Sequence, residues 1–535
     1  MSREQERFIE ETTAQVRPLE KAFYLTEWEA SVDSTPETLE KNQQAHAAYM
    51  RFWSDRERFE AAQRYDKEGS KDPLIARQTR LIYLSAAQNQ QDEATIERLT
   101  ALESEVRGKY NSFRAHVGGQ EMNDNQIDEV LRRSGDRDEV RMVWDASKQI
   151  GAEVAPQVRE LARIRNEAAR RQGYRDHFHR SLTLNEINED QLMGLFTKLE
   201  AESRRDFERV KEALDQARSR HFNVTLADLR PWHYGDRFFQ KVPATDEIDM
   251  DALFAGKDPV ELATATYDGL GMDIRDVVAR SDLFPRPGKN QHAFMIHIDR
   301  EGDIRTLNNL EPNHRWNETL LHEMGHAVYE KYLDPELPWL LRTPAHILST
   351  EAIAITMGSV TYDEAWLTGV LGIQPAEASA VAAAARRQRQ AADLIFTRWC
   401  LVMTNFERRM YFDPEADLDA IWWDLVERYQ MVRRPDGRKA PDWAAKIHVA
   451  LVPVYYQNYQ LGHLISAQLI DRMEKLAGGL AGKPEAGAWL KERFFRPGAR
   501  QDWAAHVKSA TAEELNPRYF VEGLEGERRP PTYLA

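Results

Sequence analysis

The sequence predicts a mainly α-helical protein that contains one small β-hairpin. Apolar residues recur at helical spacing among dense charges through residues 1–120, and the pattern returns in the alanine-rich stretch VAAAARRQRQAADLIFTRWCLVM. No solenoid-type repeat and no Gly/Ser tether divides the 535 residues. We therefore expect one large helical domain that spans residues 1–535.

Residues 281–310 break the helical pattern. Pro285, Pro287 and Gly288 come first, and two short runs with β character follow, HAFMIHI and IRTLN, separated by the turn-like DREGD. These features predict an antiparallel hairpin. It lies directly before the helix with the most informative motif of the chain.

Composition excludes several classes of protein. The chain has 72 basic and 87 acidic residues, a net charge of −15, which disfavours a nucleic-acid partner. No apolar run approaches the roughly 18 residues of a membrane span. The N-terminus is polar from its start, and the one cysteine, Cys400, lies in an apolar helical stretch. We expect a cytoplasmic protein without a membrane segment, in which Cys400 is a buried, inert thiol.

The stretch TLLHEMGHAVYEKYL contains an HExxH motif. Residues four apart lie on the same face of a helix, so His322 and His326 can reach one metal ion together. Zinc binds imidazole nitrogen readily and keeps one position open for water at a catalytic site. Glu323 is placed to take the proton of that water. The helix should end near Asp334-Pro335, because proline cannot continue it.

The predicted third metal ligand is Glu351, in HILSTEAIAITMG. It lies in an apolar segment, where an unpaired carboxylate is costly to bury. A metal cation supplies the missing charge partner. The alternative is an ordinary ion pair with an arginine such as Arg342. A His/His/Glu set suits one zinc ion per chain best.

At this point the sequence resembles the angiotensin-converting enzyme family of zinc peptidyl-dipeptidases, and more loosely the thimet oligopeptidase and oligopeptidase F families. The HEMGH run with its downstream glutamate carries the resemblance, and KAFYLTEWEASVDSTPETLEKNQQ and VWDASKQIGAEVAPQVRELARIRNEAARRQGY extend it toward the N-terminus. The resemblance implies a large, helical, two-lobed body with a deep central channel. Zinc would lie at the bottom of this channel.

The resemblance also assigns roles to residues outside the metal motif. His292 and Ala293 match a His-Ala pair that hydrogen-bonds the substrate backbone by strand addition. Lys446 matches a lysine that holds the free C-terminal carboxylate of the substrate, and His448 matches a histidine that steadies the developing oxyanion. Chemistry supports these roles, since lysine is a suitable point charge for a carboxylate and an imidazole can serve an oxyanion.

The tyrosines that follow admit two alignments, because the family spacing needs a one-residue insertion after His448. Alignment on Gly462 makes Tyr459 the oxyanion tyrosine and Tyr456 the carboxylate tyrosine. Alignment from His448 without a gap favours Tyr455 for the carboxylate. For any of these tyrosines, aromatic core packing is the alternative.

Two family positions are not retained in this sequence. A glutamine that helps to bind the carboxylate has no clear counterpart, and Arg237 is the residue nearest its place. Ile355 stands where the family has an aspartate four residues after the metal glutamate. The residue that orients His322 from behind is therefore unassigned.

The expected function is zinc-dependent hydrolysis of peptide bonds in short peptides, with release of C-terminal dipeptides. Glu323 would act as general base and then return the proton to the leaving amine. An oligoendopeptidase that cuts within short peptides is the first alternative. A carboxypeptidase that removes single residues lacks its HES-type motif here, where the sequence reads STEAI. An inactive binding scaffold is the last alternative, although all four residues of the metal constellation are present. The sequence predicts no oligomeric state.

Overall fold

The computed structural model describes residues 2–243, 250–290 and 292–524, and it is 71% helical. Its α-helices are α1 (Ser2–Val32), α2 (Pro36–Ser54), α3 (Arg56–Glu68), α4 (Pro73–Gln88), α5 (Glu93–Ser112), α6 (Asp124–Arg133), α7 (Arg137–Ser147), α8 (Gln149–Arg171), α9 (His177–Leu184), α10 (Glu189–Phe222), α11 (Met250–Phe254), α12 (Pro259–Gly269), α13 (Arg275–Arg280), α14 (His314–Lys331), α15 (Ile347–Gly358), α16 (Glu364–Gly369), α17 (Pro375–Phe412), α18 (Leu418–Gln430), α19 (Ile447–Leu451), α20 (Tyr456–Ala477), α21 (Pro484–Trp489), α22 (Trp503–Thr511) and α23 (Arg518–Leu524). The mainly α-helical fold class is confirmed.

Shorter helical turns connect several of these elements. The 3-10 turns are Leu226–Asp228, Pro231–Tyr234, Trp339–Leu341, Ser359–Tyr362, Asp442–Ala445 and Gly498–Arg500, and Leu490–Phe495 is a π-helical turn.

Local sequence explains where many helices begin. Thr35 caps α2 with a reciprocal capping box, and Pro36 follows at the first helical position. Asp72 caps α4 in a similar way by accepting the N–H groups of Leu74 and Ile75. Side chains therefore satisfy the N–H groups that each first turn leaves unpaired.

Four strands form two antiparallel hairpins in the described residues. In the predicted one, β3 (Phe294–His297) pairs with β4 (Ile304–Leu307), with Phe294 opposite Leu307, and this hairpin is confirmed. The other, β1 (Ala115–Val117) with β2 (Gln120–Met122), lies where the sequence predicted only helix up to residue 120. Gly118 and Gly119 both have positive φ, and this two-residue turn closes the hairpin.

One large hydrophobic core draws on residues from Leu99 to Leu524, and smaller clusters pack the first four helices against later segments, which include the hairpin that follows α13. Cys400 is fully buried in α17, as predicted. Among the described residues, no helix combines the length and the apolar character that a membrane crossing requires. The extent of the single domain over 1–535 and its two-lobed shape stay predictions.

Three helices of this core position the HExxH motif. Helix α15 lies between α14 and α20, and its contacts with these two are the most extensive between helices of the described fold. Helix α14 ends at Lys331, three residues before Asp334 and so close to the predicted end. Beyond it, Asp334 N–H donates to the carbonyl of Arg496.

Candidate metal centre and substrate cavity

Helix α14 presents the two histidines of the HExxH motif on one face. Their ring centroids are 5.0 Å apart, and the ring planes are nearly perpendicular at 81°. Asn313 caps the helix by accepting the N–H of Trp316. The motif therefore lies in the interior turns of a capped helix and not at a frayed end.

Glu351, on the first half of α15, faces both imidazoles. Its carboxylate oxygens lie 3.7 Å from Nε2 of His322 and 3.7 Å from Nε2 of His326. One ligand atom from each of the three residues falls within 4.8 Å of the others. Arg342, the alternative partner, lies elsewhere: its Nε donates to the carbonyl of Leu337.

The donor set fits a zinc ion. Burial lowers the pKa of His322 to about 4 and the pKa of His326 well below its ordinary value, so both rings are neutral imidazoles that can donate a lone pair. His326 Nδ1 lies 2.7 Å from Thr350 Oγ1, which fixes that ring with Nε2 toward Glu351. Burial also raises the pKa of Glu351 to about 7, a cost that a bound cation removes.

Glycines allow the three helices of the centre to approach closely. A Cβ on Gly325, the fourth residue of HEMGH, would stand 3.0 Å from Cα of Ala354 on α15. A Cβ on Gly462 of α20 would stand 3.2 Å from Cγ of Glu351. Helix α15 is thus held between two glycine contacts, one on each side.

Glu323 lies beside the ligands and borders a cavity. Its side chain is only 7% exposed, and burial together with the nearby Glu351 charge raises its pKa to about 8. A carboxylate with a pKa near neutrality can both accept and return a proton. The geometry of Glu323 therefore suits the predicted general base.

The cavity beside Glu323 has a volume of about 1040 Å³. Its lining includes His322, the pair His292 and Ala293, and Gln240. His292 and Ala293 immediately precede β3, whose other edge is paired with β4. The predicted backbone-binding pair and the HExxH helix thus face the same space.

Lys446 lies next to this cavity and is bonded to one of its lining residues. Its Nζ donates to Gln240 Oε1 at 3.0 Å and lies 5.3 to 5.7 Å from the ring centroids of Phe238, Trp399 and Tyr456. Burial lowers the pKa of Lys446 to about 8. The loss of hydration thus outweighs the favourable charge of Asp236.

Gln240 is a site residue that the sequence reasoning missed. Arg237, the residue suggested for the family glutamine, forms ion pairs with Asp124 at 3.0 Å and Asp128 at 3.3 Å. The carboxylate of Asp236 accepts the N–H of Gln240 in a tight turn, where Phe239 has a φ of +50°. The sequence did contain a signal for this residue, because Gln240 is a glutamine only three residues after Arg237, in RFFQ.

The three tyrosines form one aromatic cluster, in which the Tyr459 ring lies 5.1 Å from that of Tyr455 and 5.6 Å from that of Tyr456. Burial raises the pKa of Tyr455 and that of Tyr459, the latter to about 12, and the charge of Glu351 adds to both shifts. Tyr456 is 4% exposed, and its ring lies 5.7 Å from Lys446 Nζ. The His448 ring is tilted against that of Tyr456 with 5.1 Å between centroids, and among the described residues its buried Nδ1 has no hydrogen-bond partner.

The turn before the tyrosines has an unusual backbone. Val454 has a φ of +55°, a conformation that costs a β-branched residue considerable energy. The buried carboxyl of Glu407 accepts the Val454 N–H at 2.7 Å, and Gln457 Nε2 donates to the Val454 carbonyl at 2.6 Å. This turn lies within the segment where the family spacing needs one extra residue.

Two family models match this chain. Residues 1–200 match the model described as angiotensin-converting enzyme, and residues 278–526 match the model of peptidase family M3. No curated protein gives a significant match. Both matched families are zinc metallopeptidases that use one zinc ion, and the second match contains His322, His326 and Glu351.

Proposed function

We propose that this chain, a zinc metallopeptidase related to both matched families, releases dipeptides from the free C-terminus of short peptides. The observation that carries the proposal is the hydrogen bond between Lys446 and Gln240, beside the cavity that Glu323 also borders. Within the described residues Lys446 forms no ion pair, although the charge of Asp236 favours its charged form, and such a buried ammonium is a natural receptor for a terminal carboxylate. An enzyme that only cuts within chains has no need of such a group.

His322, His326 and Glu351 would hold the zinc, which when bound supplies a Lewis acid for the scissile carbonyl and lowers the pKa of water. Glu323 would take the proton of the attacking water and deliver it to the leaving amine. Its burial beside the candidate ligands and its place in the cavity lining support this double role.

Tyr459 and His448 would stabilise the negative charge that develops on the carbonyl oxygen. Tyr459 shares the electrostatic environment of Glu351, and His448 has a buried ring nitrogen without a protein partner. Tyr455 lies 5.1 Å from Tyr459, ring to ring, and would support it from the metal side. Tyr456 would join Lys446 at the carboxylate, which is the assignment from alignment on Gly462.

His292 and Ala293 would bind the substrate backbone as an added strand. They line the cavity and lead into β3, which supports this role. Substrates would be short and unfolded, because the cavity admits single extended chains. We further propose a single catalytic domain and a cytoplasmic site of action, supported by the continuous core and the lone buried cysteine. No nucleic-acid or membrane partner is proposed, and no oligomeric state is assigned.

The test is mass spectrometry of the products from an N-terminally blocked hexapeptide, as the free acid and as the C-terminal amide. Zinc-loaded wild type should release the C-terminal dipeptide from the acid, slowly from the amide, and Glu323→Gln should release none while it retains zinc. Equal internal cleavage of acid and amide would identify an oligoendopeptidase. Release of one residue at a time would identify a carboxypeptidase, and no cleavage by the zinc-loaded wild type would support an inactive scaffold.

A further inference from the structure

A second polar group lines the same cavity, away from the metal ligands. Glu318 lies one helical turn before His322 on α14, and Asp393 lies on α17. Tyr362, Arg389 and His463 complete the group, and all five residues line the cavity. None of them has a part in the hydrolytic roles proposed above.

Among the residues that the structure describes, the two carboxylates of this group have only weak or distant donors. Tyr362 donates its hydroxyl to Glu318 Oε2 at 3.3 Å. Asp393, with a side chain 19% exposed, lies 3.7 Å from Arg389 Nε and 3.8 Å from His463 Nδ1, both too far for a good hydrogen bond. Carboxylates this sheltered normally have closer partners.

The charges of the group do not cancel. Arg389 is its one cation against the two carboxylates, because burial lowers the pKa of His463 and favours the neutral ring. Burial raises the pKa of Glu318, and Arg389 opposes that rise. The other basic residues of the cavity lining, Arg132 and Lys241, are solvent-exposed. The group therefore has two carboxyl groups beside one permanent cation, an excess of acid that a cationic ligand would balance.

An aromatic wall adjoins the charged group. The ring of Phe396 lines the cavity and lies 5.7 Å from the ring of His463 and 6.2 Å from that of Tyr459. A long side chain that enters here would lay its methylene stem along Phe396 and reach the carboxylates with its end. That combination suits lysine and arginine better than a small cation.

We infer that Glu318 and Asp393 select substrates with a lysine or arginine among the two residues to be released. The inference rests on the proposed function, since the cavity joins Glu323 to Gln240 and would hold those two residues. It adds a substrate class, peptides with a basic C-terminal dipeptide, to the reaction.

The test compares blocked hexapeptides that differ only at the last or the penultimate residue, which is lysine, norleucine or glutamate. Norleucine keeps the stem of lysine without its charge. We expect kcat/KM to be about five- to tenfold higher for lysine than for norleucine at one of the two positions, and lowest for glutamate. Calorimetry with zinc-loaded Glu323→Gln gives the same ranking in Kd without turnover.

The variants Glu318→Gln and Asp393→Asn should each lower the lysine preference and leave norleucine peptides within about twofold of wild type. Arg389→Gln should raise the preference, and Glu377→Gln, an exposed acid on the same helix as Asp393, should not change it. Because two carboxylate variants are compared, the inference can still be tested if one of them fails to fold.

Equal cleavage of lysine and norleucine peptides at both positions would overturn the inference and leave the peptidase proposal intact. A lysine preference that survives both carboxylate variants would also overturn it. If zinc-loaded wild type cleaves none of the peptides, the proposed function fails and this inference falls with it.

Discussion

The candidate metal centre (the metal end) and the group proposed to bind the substrate carboxylate (the carboxylate end) are built in different ways. At the metal end, His322, His326 and Glu351 project from the interiors of two helices whose contact depends on Gly325. At the carboxylate end, Lys446 and Gln240 lie in irregular segments more than 200 residues apart in the chain. Regular packing holds one end in place, whereas tight turns and single hydrogen bonds hold the other. The two ends should therefore respond differently to mutation.

The largest contrast should come from Lys446→Met. Loss of the buried ammonium should lower kcat/KM for free-acid peptides by about 100-fold, because the terminal carboxylate loses its only proposed cationic partner. Amidated peptides should be affected little, and zinc content should not change. Lys241→Met, at an exposed lysine of the same cavity, is the matched control. An equal loss for acid and amide would remove Lys446 from carboxylate binding.

Gly325→Ala tests the metal end by crowding it. The new methyl group would meet the Ala354 backbone at 3.0 Å, so we expect a loss of about 1–3 kcal/mol in the free energy of unfolding and weaker zinc binding. Urea denaturation and zinc titration measure both. Gly194→Ala is the control, since no atom lies within 4 Å of a Cβ at that helical position. If Gly325→Ala keeps the stability and the zinc affinity of the wild type, then α14 and α15 can move apart to accept the methyl group without a measurable loss of stability.

Glu407 allows a test of the turn that precedes the tyrosines. Glu407→Leu leaves the Val454 N–H buried without an acceptor and should cost about 1–3 kcal/mol of stability, with a fall in kcat as Tyr455 and Tyr459 lose their positions. Burial raises the pKa of Glu407 to about 8, so the neutral Glu407→Gln retains the acceptor and should stay close to wild type. Identical behaviour of the two variants would contradict a role for this hydrogen bond.

The smallest effect should be a pH dependence confined to the carboxylate end. Because burial lowers the pKa of Lys446 to about 8, its positive charge is lost as the pH rises through that value. KM for free-acid peptides should rise roughly three- to tenfold between pH 7 and pH 9, while KM for amides stays nearly constant. Parallel rises for both substrates would place the titrating group elsewhere.

The metal end could be predicted from the sequence because its information is local. The i,i+4 histidines fix a helical face, and Glu351 stands out as a carboxylate in an apolar helix. The hairpin β3–β4 was predictable for the same reason, from two short runs around a turn. The Gly118-Gly119 turn carried an equally local signal for β1–β2 that was overlooked.

The carboxylate end could not be predicted in full. Gln240 reaches Lys446 because Asp236 folds its segment into a turn, and no periodic pattern encodes that reach. Val454 adopts a left-handed conformation that a valine does not suggest, so the register of the tyrosines stayed open between two alignments. The charged group around Glu318 was missed because its members come from separate elements that meet only in the folded cavity.

Glycine at position 462 links the two ends of the cavity. It brings α20, the helix of Tyr456 and Tyr459, against the side chain of Glu351, which stands 3.2 Å from where a Cβ would be. The candidate metal ligand Glu351 and the tyrosines proposed for substrate binding and oxyanion stabilisation thus lie on two helices in direct contact. A variant designed for another metal or another bond will need changes on both α15 and α20, because a shift of one helix displaces the other.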